Sequence, residues 1–477
     1  MNGGNMADGK HTSATTTRVL KALKIFGGVQ AITILCSVVR TKLAALWLGP
    51  VGVGLMTIYN STMDLIAQTS QLNIQQSAVR ELSQCRTDAP RAARLTAAVR
   101  RLALMLALPA MLALILCSPL ISRWAFGDTS HTAAFVVLSP WLVLSAVAGI
   151  EMAVMRANDK LKNLANASRY AALTSVAVAV PLFYYLRLKA VIPVLLIYPA
   201  FNCIYAFIFR DRSVPRVPLP LGRVWKESRG VLSLGVYMTV SSFVTLLASN
   251  VFVIYLNKQY SGETVGIYQA GYTLVNTYVG MIFTAIAMEY YPRLSSVVRS
   301  SLRTAVVVSH EVKMALLVLM PVAVLFIACS GLIVKILYTS RFEAALPYIV
   351  IGATGVFFRA VSWCLAFVIL ARGDGKVYVF TELASALVFV ALYIPLFNRF
   401  GFAGIGVGYV AWYAIYFAIT YAVCRMRYGL RFRSGIPALV CLSLAVALAA
   451  LLIYYFAGAY YTLLLLLPVA FFVKRSI

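Results

Sequence analysis

Apolar runs of about 17 to 26 residues recur along the whole sequence, and nothing constrains the fold more. Crossing ~30 Å of hydrocarbon at 1.5 Å per residue takes about 20 residues of helix. Each run is long enough to span a bilayer. Membrane strands would alternate with period two over about 10 residues, and no such pattern is sustained. Composition agrees: 61% of the 477 residues are hydrophobic and 12% are charged, against about 25% charged in soluble domains. The expected fold class is an all-α polytopic membrane protein. Fourteen spans are predicted, at 24–47, 53–78, 99–118, 133–155, 165–185, 191–209, 231–256, 265–291, 314–334, 345–370, 378–397, 403–424, 436–456 and 457–473. The last is short and holds Pro468, so the expected number is twelve to fourteen.

The net charge of +27 resembles a nucleic-acid footprint until its distribution is read. With the N-terminus in the cytoplasm, 32 of the 42 Lys and Arg fall on inside segments and 7 on outside loops. That split follows the positive-inside rule and predicts that both termini are cytoplasmic. The cations then anchor the chain against anionic lipid, and no nucleic-acid partner is called for. Residues 1–17 are polar and the first apolar run is a full span, so no cleavable signal is expected. The eight Cys and the scattered His11, His131 and His310 show no metal-ligand spacing, and neither metal nor cofactor is expected. There is no GxxxxGK[ST] loop and no large outside loop. A transporter with its own ATPase domain is excluded, and the chain is expected not to be an enzyme.

A shift of 212 residues aligns much of the two halves. Gly54 falls on Gly266, Leu82-Ser83 on Leu294-Ser295, Pro109 on Pro321, Cys117-Ser118 on Cys329-Ser330, and Leu120-Ile121 on Leu332-Ile333. A three-residue insertion then puts Asp159 on Asp374. The repeat unit is six spans, and an even number returns the chain to the same side. The expected architecture is two six-helix lobes in a parallel repeat around a central cleft, plus two C-terminal helices. The expected segments are a tail at 1–20, an N-lobe at 21–210, a linker at 211–228, a C-lobe at 229–425 and an appendage at 426–477.

Polar residues at helical spacing mark candidate cleft faces. Span 1 carries Gln30, Thr33, Ser37 and Arg40; span 2 carries Asn60, Asp64, Gln68, Gln71 and Gln75. The second lobe has a milder face, with Tyr237, Ser241 and Thr245 in span 7 and Asn276 in span 8. Arg40 lies ~13 Å and Asp64 ~16 Å from the outer surface, so the two can meet at similar depth. A charge at mid-span costs about 2.5–3.5 kcal/mol on insertion scales and calls for a partner or a wet cavity. Asp64 is a candidate ion-coupling site; a structural Arg40–Asp64 pair is the alternative. Lys42, two residues beyond Arg40, points away from it, either to the interface or to the cleft. Arg359 lies ~21 Å deep with no carboxylate one turn away. Its guanidinium fork suits a diphosphate, and hydrogen bonding to backbone carbonyls of a neighbouring helix is the alternative. Glu151 near Arg156, Glu289 near Arg293 and Glu382 near Lys376 read as local boundary pairs.

The stretch Arg40-Thr41-Lys42-Leu43-Ala44-Ala45-Leu46-Trp47-Leu48-Gly49-Pro50-Val51-Gly52-Val53-Gly54-Leu55 resembles the polysaccharide-transport branch of the multidrug/oligosaccharidyl-lipid/polysaccharide (MOP) exporter superfamily. Within it the chain is similar to Wzx-type flippases of O-antigen and enterobacterial common antigen. The loop Gly373-Asp374-Gly375-Lys376 also resembles that family. The resemblance implies a flippase that carries undecaprenyl-diphosphate-linked oligosaccharide from the inner to the outer leaflet of a bacterial inner membrane by alternating access. It implies diphosphate contacts from Arg359, Arg40 and Lys42, surrounding membrane lipids, and association with the polymerase and ligase of the same pathway. Fourteen spans keep the lipid II flippase branch open. A cation-coupled multidrug antiporter is the further alternative, and it predicts acids in the second lobe's cleft.

Overall fold

A computed structural model describes the backbone of residues 5–85, 88–213, 215, 217–280, 283, 290, 293–294, 297–298 and 300–476, and the side chains of these apart from 5–31, 34, 84, 221, 233–234, 237–238, 241, 278 and 476. The chain is all-α. In order, the helices are α1 (Asn5–Ser70), α2 (Ile74–Gln84), α3 (Ala89–Phe126), α4 (Thr132–Leu138), α5 (Pro140–Ala157), α6 (Leu161–Leu186), α7 (Val191–Ile208), α8 (Leu221–Glu227), α9 (Arg229–Gln259), α10 (Gly262–Tyr272), α11 (Ser301–Leu337), α12 (Leu346–Ala371), α13 (Gly375–Tyr428), α14 (Ile436–Phe456), α15 (Ala459–Thr462) and α16 (Leu466–Ser476). A π-helical turn, Thr273–Tyr278, continues α10.

Among the described residues, eight helical stretches are long and apolar enough to cross a membrane. This is a multi-pass membrane protein. The stretch Gly375–Tyr428 has 54 residues, which at 1.5 Å each would reach ~80 Å, more than twice the hydrocarbon thickness. It is two spans, separated where Gly401 takes φ +57°. In the same way α1 breaks at Gly49, with φ +66°. Only glycine takes that conformation without a Cβ penalty, and Pro50 then opens the next helix, where a missing N–H costs nothing. Sequence spans 1 and 2 are thus the two arms of α1. Spans 5 and 6 are α6 and α7, divided at Arg187 (φ +51°) and a 3₁₀ turn, Arg187–Ala190.

The repeat is visible helix by helix. Asp88 caps α3 by accepting from Arg91 N, and Ser300, 212 residues on, caps α11 by accepting from Arg303 N. Pro109 and Pro321 lie inside these two helices at the same register. Ser118 Oγ donates to Ile115 O (2.8 Å), and Ser330 Oγ donates to Ile327 O (2.9 Å).

The chain divides into two compact units, one of residues 1–48 and 59–239, the other of residues 49–58 and 240–477. In the first, Leu82, Val99, Leu102, Ile150 and Val154 form the centre of a core shared by α2, α3 and α5. Glu151 is buried there, and both its oxygens lie 2.7 Å from Arg100 nitrogens. The sequence reading had paired it with Arg156. In the second, Val324, Ile327, Val350 and Ala353 pack against Ala450, so α14 is seated on α11 and α12. The segment 49–58 crosses α10 at backbone contact. A Cβ on Gly54 would overlap the Gly262 carbonyl, and one on Gly266 would overlap the Pro50 carbonyl. The 212-residue shift carries Gly54 to Gly266 and Pro50 to Gly262, so the two contacts are copies of each other.

Candidate functional site

Arg359 lines a cavity of about 500 Å³ in the second unit. It projects from α12 toward the π-helical turn. The i→i+5 geometry of that turn leaves carbonyls free to turn outward. Arg359 Nη1 donates to Asn276 O (3.2 Å), to Val275 O (3.5 Å) and to Asn276 Oδ1 (3.4 Å). It also donates to Tyr409 OH on α13 (3.3 Å). The guanidinium carbon sits 5.3 Å from the Phe283 ring centroid and 5.7 Å from that of Tyr413, within range for cation–π attraction. All four hydrogen bonds come from Nη1; none among the described residues occupies Nε or Nη2. A guanidinium has five donors, and among the described residues the hydrogen bonds to this one all run through Nη1. Nη2 lies beside Gly280, where a Cβ would stand 3.4 Å from it. The backbone-carbonyl alternative is therefore realised at Nη1.

The cavity walls are aromatic: Tyr272, Trp363, Phe389, Trp412, Tyr413 and Tyr416 all line it. Trp412 is fixed by Nε1 donating to Ser385 O and Ser385 Oγ, both at 2.9 Å. At the other end is Glu382. Its Oε1 accepts from Tyr416 OH at 2.5 Å and its Oε2 from Thr245 Oγ1 at 3.5 Å. It makes no ion pair among the described residues. The reading of Glu382 as a boundary pair with Lys376 is corrected. Six residues turn a helix through 600°, which puts the two on different faces, and the carboxylate lines the cavity.

Three residues singled out from sequence meet here: Arg359, Asn276 and Thr245. Tyr237, Ser241 and Glu289 lie outside the described side chains. In the first unit, Thr33, Ser37 and Arg40 come together in a smaller cavity of about 160 Å³ with Ser175 and Tyr198. The Arg40 guanidinium carbon lies 5.3 Å from the Tyr198 ring centroid. No ion pair joins it to Asp64 among the described residues, and Asp64 is exposed. The backbone at Gln30 is helical, but its side chain is outside the described set. Lys42 is half-buried and does not line the Arg40 cavity; Asn60 and Gln68 are also half-buried.

Gln71 and Gln75 do not continue the polar stripe of span 2. α1 ends at Ser70, and Leu72 and Asn73 take left-handed φ of +49° and +47° before α2 begins. Gln71 is buried and its Nε2 donates to Leu142 O and Ser145 Oγ, both at 3.1 Å. Gln75 Nε2 donates to Gln71 Oε1 (3.1 Å) and to Ser145 O (3.5 Å). Gln71 ties the turn before α2 to α5 and Gln75 ties α2 to α5, the commoner use of polar side chains between membrane helices. The aromatic wall was missed, although its signal was present: Tyr409, Trp412, Tyr413 and Tyr416 are spaced 3, 1 and 3, one face of a helix.

Comparisons with known proteins agree with this architecture. A family profile described as "Polysaccharide biosynthesis protein" matches residues 112–347. Among solved structures, the lipid II flippase MurJ in an inward closed conformation superposes with a TM-score of 0.67 at 13% identity, over 95% of this chain and 98% of that one. An inward-facing multidrug resistance MATE family transporter of the MOP superfamily gives 0.68 at 13% identity, over 85% and 95%. A MOP superfamily transporter from Pyrococcus furiosus, described as having a binding pocket of reverse polarity, gives 0.55 at 15% identity, over 88% and 96%. No curated protein matches the sequence. The chain has the fold shared by these MurJ and MATE structures.

Proposed function

We propose that this protein is a flippase for an anionic lipid-linked saccharide, undecaprenyl-diphosphate oligosaccharide of the O-antigen type, moved from the inner to the outer leaflet of a bacterial inner membrane by alternating access. The observation that carries the reading is Arg359: a cation fixed by neutral acceptors in a cavity walled by tryptophan and tyrosine. The guanidinium fork matches phosphate oxygens, and aromatic faces offer sugar rings a stacking surface. Phosphate contacts are also assigned to Arg40, over Tyr198 and beside Thr33 and Ser37, and to Lys42. Asp64 is the ion-coupling carboxylate. Both termini face the cytoplasm, and the polymerase and ligase of the same pathway are its partners. The family profile and the flippase likeness support this reading.

Glu382 favours a second reading, a cation-coupled multidrug antiporter, because it places an acid in the second unit's cavity. Lipid II is the alternative substrate of a flippase. The test is binding. Purified protein is titrated with undecaprenyl diphosphate, with intrinsic tryptophan fluorescence as readout, since Trp363 and Trp412 line the cavity. Arg359→Ala is expected to weaken binding at least tenfold while eluting as a monodisperse peak. Equal affinity in the variant would remove Arg359 from the site.

A further inference from the structure

Resting on the flippase reading, we infer that the saccharide carries a primary ammonium, and that Glu382 is the subsite for it at the far end of the Arg359 cavity. Among the described residues, Glu382 lines the cavity as a carboxylate met by hydroxyl donors, Tyr416 and Thr245. A carboxylate within a membrane segment calls for a positive partner, and none is supplied by an ion pair among the described residues. Around it stand Tyr378, Trp412, Tyr413 and Tyr416. Aromatic faces plus one carboxylate are the chemistry that recognises an organic ammonium, through cation–π attraction and a charge-assisted hydrogen bond.

The two charged ends have a fixed separation. Tyr409 holds Arg359 and Tyr416 holds Glu382, both from α13. Seven residues of helix put those anchors ~10 Å apart along its axis. Tyr413 lies between them, with the Arg359 guanidinium over its ring, and Trp412 packs against Tyr413 at 4.3 Å between centroids with the planes tilted by 39°. The cavity is therefore bipolar: a cation at one end for phosphate, an acid at the other, and an aromatic wall between. A saccharide with a free amino group, its phosphate toward Arg359 and its ammonium toward Glu382, satisfies both ends at once. A wholly neutral or wholly anionic sugar leaves the carboxylate unmatched.

The test compares methyl glycosides of glucosamine, N-acetylglucosamine and glucose as competitors for a fluorescent undecaprenyl-diphosphate probe, at a pH where the amine is protonated. Glucosamine is expected to compete at least tenfold better than its N-acetyl form. Glu382→Gln is expected to abolish that preference and Glu382→Asp to retain part of it. Both variants are expected to elute as monodisperse peaks and to melt within a few degrees of wild type, which reports folding. Equal competition by all three sugars, with probe binding still dependent on Arg359, would overturn the ammonium subsite and leave the flippase reading in place. A glucosamine preference that depends on Glu382, with probe binding independent of Arg359, would overturn the flippase reading on which the proposal rests and favour an organic-cation carrier.

Discussion

Arg359 shows how neutral groups hold a charge within a membrane segment. Its Nη1 draws on two main-chain carbonyls, an amide oxygen and a phenol, and no single one is indispensable. Tyr409→Phe removes one acceptor. Hydrogen bonds to charged groups contribute about 1.5–3 kcal/mol, and with three acceptors left the expected destabilisation is about 1.5 kcal/mol in thermal unfolding; an unchanged melting temperature would mean α13 does not hold the guanidinium. Arg359→Lys replaces a planar fork with a single ammonium and is expected to weaken undecaprenyl diphosphate binding at least tenfold, about 1.4 kcal/mol. Affinity equal to wild type would show that charge alone suffices. Arg359, Asn276 and Thr245 were legible because polar groups stand out against an apolar chain. The route of Nη1 to the carbonyls of residues 275 and 276 was not, because a π-helical turn leaves no mark in hydropathy. Glu382 was misread by proximity in sequence, although a separation of six residues already argued against the pair.

At the scale of helices, the crossing of the 49–58 segment with α10 has no room for a side chain. Gly54→Ala and Gly266→Ala each drive a Cβ into a carbonyl, and overpacking of this kind costs about 1–3 kcal/mol. Each variant is expected to melt lower. The double variant is expected to lose less than the two losses added together, because both substitutions press on one contact. Gly331, on α11 with open space around it, is the control, and Gly331→Ala is expected to be neutral or stabilising. Strict additivity would mean the two glycines do not share an interface. At the α12–α13 junction, Asp374 accepts from Arg427 Nε (2.6 Å) and Tyr428 OH (3.1 Å). Desolvation pushes its carboxyl upward, but these hydrogen bonds outweigh it and hold the group below the usual carboxylate range. A carboxyl whose folded-state value is depressed contributes its full stability above the unfolded value and loses it as pH falls through the folded one. Asp374→Asn is therefore expected to lower the melting temperature at neutral pH and to converge with wild type in acid; parallel melting curves across that range would contradict it. The Gly49–Pro50 break was readable from residue chemistry. The end of α1 at Ser70 was not, since Gln68, Gln71 and Gln75 keep helical spacing across a turn that Leu72 and Asn73 interrupt.

For the whole molecule, the 212-residue repeat did most to make the fold legible. The same register carries the caps of α3 and α11, their internal prolines and their serine back-bonds, and it relates the two halves of the glycine crossing. Positive-inside counting predicts the orientation that follows from this. Cysteines introduced singly at Asp88 and Lys376 are expected to react with a membrane-impermeant maleimide only after the cells are opened, and one at Arg399 without opening. The reverse pattern would invert the topology. What the sequence left open was the polarity of the second unit's cavity, because aromatic and acidic residues from four helices meet only once the chain is folded. The most direct test of the account is transport in proteoliposomes. A labelled undecaprenyl-diphosphate oligosaccharide is compared with a cationic dye, with and without a proton gradient, for wild type and Arg359→Ala. Movement of the glycolipid by wild type, lost in the variant, is the predicted result; movement of the dye with no movement of the glycolipid would contradict the flippase and make the protein a cation transporter.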